Sequence, residues 1–324
     1  MDGGIIPDEA VARALPWDEL VPALHSAFAD DIVVPGRMHT ATSSGTLLVM
    51  PAWRRHGLLG LKVATIHPGN NARGMPAVHA TYILLREDSG QRVCVLDGRA
   101  LTVRRTAATS ALASRLLSRP DSRTLLMVGA GALAGPLIEA HLWARPVERV
   151  MVWNRTPERA RRLVSSLSNR HDFLYGARAT SRPVSFEVAG SLTHAVSEAD
   201  VISCATLSTE PLIRDAQVRA GTHIDLVGAF RPDMRETDGA VLGRARVFVD
   251  ARAGALSEAG DILQAIDEGF FTPDAIEGDL NALCRAPQAP GRAPSDITVF
   301  KSVGHALEDL AAAELVAAEL GLYP

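Results

Sequence analysis

Cysteine is scarce in this chain, and its copies lie far apart. Cys94, Cys204 and Cys284 are separated by 110 and 80 positions, so no pair has the close spacing of a zinc knuckle or a dithiol redox motif. Each reads as a small buried residue rather than a nucleophile. The ten histidines are scattered and contain no His-Glu-x-x-His run, so no metal is expected. A surplus of positive charge is missing too. The 33 Lys plus Arg stand against 37 Asp plus Glu, a formal charge of −4, which gives nothing to neutralise a phosphate backbone and excludes nucleic acid as a partner. No apolar run approaches the roughly 18 residues that span a bilayer, so no membrane partner is expected. The first thirty residues carry Asp2, Asp8, Glu9, Asp18 and Glu19 and lack the basic-then-apolar order of a secretory signal. These absences predict a soluble, cytoplasmic protein, and no internal repeat is visible.

What is present is a chain of 324 residues, 47% apolar and 22% charged, enough for two domains of ordinary size. Val11, Leu15, Leu20, Leu24 and Phe28 recur at helical spacing across residues 1–30. From Gly45 to Leu96 the pattern becomes short apolar runs separated by turn signals, which predicts an antiparallel sheet. A small-residue helix is expected over Thr102 to Leu117, and Ser118 to Asp121 marks a boundary. The middle of the chain alternates six strands with helical segments, which predicts a doubly wound parallel sheet. Arg285 to Pro294 reads as a loop, and Phe300, Val303, Ala306, Leu310, Ala313 and Val316 predict a long terminal helix returning to the first domain. The fold class is therefore α/β: a Rossmann doubly wound sheet (residues 119–295) plus an α+β domain built from both termini (residues 1–118 and 296–324).

The strand Leu125 to Val128 runs into Gly129-Ala130-Gly131-Ala132-Leu133-Ala134 and then a helix. The first glycine permits a tight turn, the second lets a pyrophosphate approach the backbone, and the small third residue lets helix and strand pack closely. At the end of the second strand, where an acid would accept hydrogen bonds from the 2'-hydroxyl of NAD, the sequence has Asn154-Arg155-Thr156. A carboxylate there would repel a 2'-phosphate, whereas Arg155 can bind one. NADPH is the expected cofactor, ahead of NADH. The expected cofactor contacts are Thr106, Gly129, Gly131, Ala132, Asn154, Arg155, Thr156, Thr206 and Val227.

Seven runs stand in order along the chain: Pro35-Gly36-Arg37, Gly60-Leu61-Lys62-Val63, Leu101 to Ser110 with Arg104-Arg105-Thr106, Asp225-Leu226-Val227-Gly228, Arg231 to Glu236, Glu258 to Ile262, and Thr298 to Gly304. Their order and spacing resemble the ornithine cyclodeaminase and mu-crystallin family over nearly the whole chain. The resemblance implies a substrate and dimerisation domain made from both termini, a central Rossmann domain and a homodimer joined through the substrate-domain sheets. It also implies that Arg37, Lys62 and Arg105 bind the carboxylate of a small imino or amino acid, with Lys62 and Arg105 as the catalytic pair. Lys62 lies in an apolar run and Arg105 in a helix of small residues, so both are expected to be partly buried and in need of an anion.

Two departures from the cyclodeaminase pattern matter. Where cyclodeaminases carry an acid/base Asp two residues after the glycine matching Gly228, this chain has Phe230, expected to touch substrate instead. The acid near Asn154 typical of NAD users is also replaced. Both departures resemble the ketimine and Δ1-pyrroline-2-carboxylate reductase branch. The leading expectation is NADPH-dependent reduction of a cyclic imino acid to L-proline or L-pipecolate. Ornithine cyclodeamination, oxidation of an amino acid such as alanine, and NADPH binding without turnover stay open. Asp225, His79 and Thr81 are further candidates for the pocket lining, and Asp225 or Glu258 for a compensating acid.

Overall fold

The computed structural model describes residues 4–169 and 183–323. Two compact units are present: residues up to Ala108 with His305 onward form one, and Thr109–Gly304 the other.

The first unit begins with α1 (Asp8–Arg13) and α2 (Trp17–Ala29), split at Pro16, which lacks the N–H that a continuous helix needs. A five-stranded antiparallel sheet follows in sequential order: β1 (Met38–Ala41), β2 (Thr46–Trp53), β3 (Leu58–Ile66), β4 (Val78–Arg86) and β5 (Arg92–Asp97). All but β1 are legible as apolar runs; β1 is a fully exposed edge strand with no alternating pattern. Period-2 alternation sends Met50, Ala52, Lys62, Ala64, Tyr82 and Leu84 to a buried face, where the C-terminal helix (Ala306–Glu319) packs. Gly60 makes room there, because a Cβ on it would collide with the buried ring of Tyr82. On the opposite face Pro51, Leu61, Ile83 and Val95 are paired in one row across four strands. All four are apolar and half-buried.

The helix α3 runs without a break from Gly98 to Leu117, and the division between the units falls inside it. The second unit holds an eight-stranded sheet whose ladders are all parallel. Its strands are β6 (Thr124–Val128), β7 (Arg149–Trp153), β8 (Ser185–Val188), β9 (Val201–Cys204), β10 (His223–Leu226), β11 (Arg246–Val249), β12 (Ile276–Asp279) and β13 (Thr298–Lys301). They stand in the order β12-β11-β13-β10-β9-β6-β7-β8. Its core is continuous through Leu126, Val128, Ile202, Ile224, Leu226, Val247 and Val299.

One expectation is corrected here. Phe300 does not belong to the terminal helix, which starts at Ala306; it lies on β13, between β10 and β11. The run Thr298–Lys301 is buried at every position, and a short, wholly buried parallel strand carries no period to separate it from a helix. The two compact units divide at 108/109 and 304/305, while the sequence suggests bounds at 118/119 and 295/296. β12 was not expected either: its Ile-Glu-Gly-Asp sequence carries a single apolar side chain, too little to mark a strand. Among the described residues, no helix is long and apolar enough to cross a membrane.

The C-terminal end of α3 is closed by an arginine that follows α4 (Ala134–Ala144). Arg145 Nε donates to Ser118 Oγ at 2.7 Å, and its Nη2 donates to the carbonyls of Ser114, Arg115 and Ser118 at 2.8 to 3.0 Å. Ser114 O also accepts Ser118 N–H at 2.9 Å and Ser118 Oγ–H at 2.6 Å, whereas the last carbonyls of a helix lack a partner further along it. Arg145→Ala would remove this set of charge-assisted bonds and leave the buried Ser118 with fewer partners, so the variant is expected to lose about 3 kcal/mol of stability. Urea unfolding checks this; a loss under about 0.5 kcal/mol would contradict the capping role.

Candidate active site

In the first unit β3, α3 and the C-terminal helix bring four charged side chains together. Lys62 and Arg105 are 4% and 6% exposed, and Glu308 and Asp309 not at all. Lys62 Nζ donates to Asp309 Oδ1 at 3.1 Å, Arg105 Nε donates to the same oxygen at 2.9 Å, and Arg105 Nη1 donates to Glu308. The expected burial of both cations is found, but the anions they need come from the chain itself. Loss of water lowers the Lys62 ammonium to about 8, with Asp309 pulling it back up and Arg105 pushing it down. Loss of water would also raise the Asp309 carboxyl, yet Arg105 and Lys62 outweigh it and hold the group below the usual carboxylate range. Arg105 is desolvated too, and Asp309 and Glu308 more than compensate, raising it above its ordinary value. Arg37 stands half-buried at the entry to β1, and Thr106 is half-buried on α3 beside Arg105.

Glu308 and Asp309 are the residues that sequence reasoning missed. The one signal was a pair of adjacent acids opening a helix made mostly of Ala, Leu and Val, and acids in a first helical turn are ordinary.

In the second unit β6 is the first strand of the doubly wound sheet. β7 and β8 lie to one side of it and β9 and β10 to the other, so the order reverses between β6 and β9, where ligands of such sheets bind. The turn after β6 fits a dinucleotide. Gly129 has φ +111°, and a Cβ there would meet Ala205 O at 2.6 Å; a Cβ on Gly131 would meet nothing within 4 Å, so the backbone is open to a phosphate. Ala130 N–H donates to Asn154 Oδ1 at 3.1 Å, and Asn154 Nδ2 donates to Thr156 O at 2.9 Å. An Asp could accept the first bond but not donate the second. Asn154 thus ties the glycine turn to the end of β7, and Arg155 is presented outward, exposed, with no hydrogen bond or ion pair among the described residues. One helical turn on, at the start of α5 (Pro157–Asn169), Arg159 adds a second exposed cation that sequence reasoning left out.

On the other side of the switch point, Thr206 follows β9 and is half-buried, with its Cγ2 3.3 Å from the place a Gly129 Cβ would occupy. Val227 follows β10 and is buried. Ala229 adopts φ +51°, a left-handed conformation that costs an L-residue about 1 to 2 kcal/mol. It is held there by Gly260 N–H, which donates to Ala229 O at 3.0 Å. Phe230 emerges from this turn 37% exposed.

Asp225 is not part of a pocket lining, and this corrects its candidacy. It is fully buried, receiving Ser110 Oγ–H at 2.9 Å and Ser203 Oγ–H at 2.7 Å, with His141 Nε2 at 3.2 Å. Its position on β10 points it into the packing of α3 and α4, where a carboxylate must be saturated with partners. His79 is exposed and Thr81 half-buried on β4.

Residues 9–320 match the ornithine cyclodeaminase/mu-crystallin family, and the chain belongs to it. Among its relatives, a protein named Δ1-pyrroline-2-carboxylate reductase from Colwellia psychrerythraea is 35% identical over 98% of this chain and 99% of its own. The structure of a Thermococcus litoralis Δ1-pyrroline-2-carboxylate reductase in complex with NADH and L-proline superposes with TM-score 0.89 at 27% identity, covering 97% of this chain and 96% of that one. An archaeal alanine dehydrogenase dimer with bound NAD gives TM-score 0.87 at 27% identity, covering 97% and 95%.

The buried cluster has a measurable signature. Asp309→Asn leaves two buried cations sharing one carboxylate, and is expected to cost about 3 to 5 kcal/mol. Lys62→Met keeps the Arg105 pairs intact and should cost clearly less. Chemical denaturation of both variants checks this, and equal losses would mean that Asp309 is not the centre of the cluster.

Proposed function

We propose that this member of the ornithine cyclodeaminase/mu-crystallin family reduces a cyclic imino acid, Δ1-pyrroline-2-carboxylate or its six-membered homologue, with NADPH. The chain is a nicotinamide-dependent oxidoreductase acting on imines; the ring size and the choice of NADPH are the finer parts of the reading. The observation that carries it is the combination of a buried cation pair, Lys62 and Arg105, with an apolar Phe230 where a cyclodeaminase needs a carboxylate.

The cofactor supplies a hydride to the imine carbon. The side chains supply orientation and a proton. All the described hydrogen bonds of Lys62 go to Asp309, so Nζ keeps hydrogen for a substrate carboxylate or imine nitrogen, and a cation already partnered is held still for it. With its ammonium brought down to about 8, Lys62 is suited to give a proton to the nitrogen as the carbon is reduced, and to regain one from water. Arg105 and Arg37 are assigned to the carboxylate, which planar guanidinium groups hold in one orientation. Cyclodeamination would start by taking a proton from a substrate ammonium. Phe230 cannot do that, and Asp225 is sealed inside its network.

The choice of NADPH rests on Arg155, with Arg159 behind it, and on the absence of an acid at Asn154. The row of Pro51, Leu61, Ile83 and Val95 supports a homodimer through that sheet face, since half-buried apolar faces of this kind mark association. The small imino acid and a second copy of the chain are the proposed partners.

Two measurements test the reading. Purified enzyme with NADPH and Δ1-pyrroline-2-carboxylate should consume NADPH absorbance, with kcat/KM falling above about pH 8, while ornithine with NADP yields little ammonia; stoichiometric release of ammonia and proline would favour the cyclodeaminase instead. NADPH should bind more than tenfold more tightly than NADH, and Arg155→Asp should reverse that order. Equal Kd values for the two cofactors in the unmutated protein would rule out Arg155 as the selecting residue.

A further inference from the structure

A fully buried carboxylate lies behind the cofactor turn and takes no part in the scheme above. Glu236 receives both hydrogens that Thr206 can give. Thr206 N–H donates to Glu236 Oε1 at 2.7 Å, and the Thr206 hydroxyl donates to the same oxygen at 2.8 Å. Ser208 N–H donates to Thr206 Oγ1 at 3.3 Å. A hydroxyl whose proton is committed can only accept, and here one lone pair remains for a ligand.

Glu236 cannot turn away. Its own N–H donates to Asp261 Oδ1 at 2.6 Å, as does Thr237 N–H at 3.0 Å. Asp261 is ion-paired with Lys301 at 3.2 Å, and both are completely buried. Lys301 Nζ also donates to the carbonyl of Gly228, so one lysine on β13 fixes the loops that follow β9 and β10. Gly228 has to be glycine, because a Cβ there would stand 2.5 Å from Glu236 Oε1. Glu236 Oε2 has no hydrogen-bond partner among the described residues. Burial raises the carboxyl to about 7, with Lys301 acting against the rise and Asp261 adding to it. A proton taken up on Oε2 leaves Oε1 an acceptor, so the polarity imposed on Thr206 is the same in either state.

Thr206 stands on the β9 side of the switch point, the half of such a sheet that faces the nicotinamide. A nicotinamide dinucleotide offers three kinds of polar group to such a hydroxyl. Phosphate oxygens only accept and are refused. Ribose hydroxyls both donate and accept and are indifferent. The carboxamide offers an N–H at one end and a carbonyl at the other, so it alone is sorted by polarity. We propose that Glu236 is a positioning residue which, by holding both Thr206 hydrogens, makes the Thr206 hydroxyl an acceptor for the carboxamide N–H of the nicotinamide. The inference rests on the reading of this unit as a nicotinamide dinucleotide site.

The test uses binding rather than turnover. The probes are the preferred reduced cofactor and its 3-acetylpyridine analogue, which keeps the carbonyl but carries a methyl group where the carboxamide has its nitrogen. The unmutated protein should bind the parent about fivefold more tightly, the value of one neutral hydrogen bond. Thr206→Val should bind both equally, and Glu236→Gln, whose Oε1 still accepts, should keep the preference. Glu236→Leu frees the hydroxyl to donate to either carbonyl and should lose it. A preference that survives in Thr206→Val or in folded Glu236→Leu would overturn the proposal, as would its absence from the unmutated protein. A purely structural role would weaken both ligands together and leave their ratio unchanged. If Glu236→Leu does not fold, Thr206→Val and Glu236→Gln still decide. Failure of the unmutated protein to bind either NADPH or NADH would instead remove the cofactor reading itself.

Discussion

Positive charge taken out of water has to be met by acceptors, and for Lys62, Arg105 and Lys301 these are carboxylates remote in sequence. Lys62 and Arg105 find theirs on the C-terminal helix, 247 and 204 positions along. Lys301 finds Asp261 and through it the loop of Glu236. An isolated ammonium inside protein would shift its equilibrium and lose its proton, so the packing of each unit depends on these distant segments. That requirement explains why the last helix returns to a unit that begins at the N-terminus, and why a short strand from the end of the chain is inserted between β10 and β11.

The same constraint shapes the chemistry. A cation already balanced by a fixed acid is not consumed by neutralising its surroundings, so the proposed role of Lys62 needs no further anion from the chain, and burial has already brought its ammonium down to about 8. On the other unit, the side-chain carboxylates near the glycine turn are turned inward: Glu236 grips Thr206 and Asp261 grips the Glu236 backbone. At the end of β7 the uncharged Asn154 takes the position where an acid would repel a 2'-phosphate. The outer surface there is left to Arg155 and Arg159.

Much of this was legible in the order of residues. The glycine turn, Asn154-Arg155-Thr156, and the alternating strands each depend on contacts made within a few residues, and each was read with bounds close to those found. Legibility failed where burial is complete. β13 has no alternating face, Asp225 is an acid in an apolar strand with no outward sign of its two serines and its histidine, and Glu308-Asp309 looks like an ordinary helix start. In each case the side chain's meaning lies in a partner more than twenty positions away.

The sequence by itself determined the local geometry: which turns need glycine, where a parallel sheet begins, which strand end lacks an acid, and that Phe230 cannot move a proton. Those follow from backbone sterics and from the chemistry of single side chains, which do not depend on the rest of the chain. Only the tertiary structure decided which charges neutralise one another, that Lys62 and Arg105 are satisfied from within, and that Thr206 has no hydrogen left to give. Coulomb attraction and hydrogen bonding act over a few ångströms of space, and the sequence does not record which distant segments come within that distance.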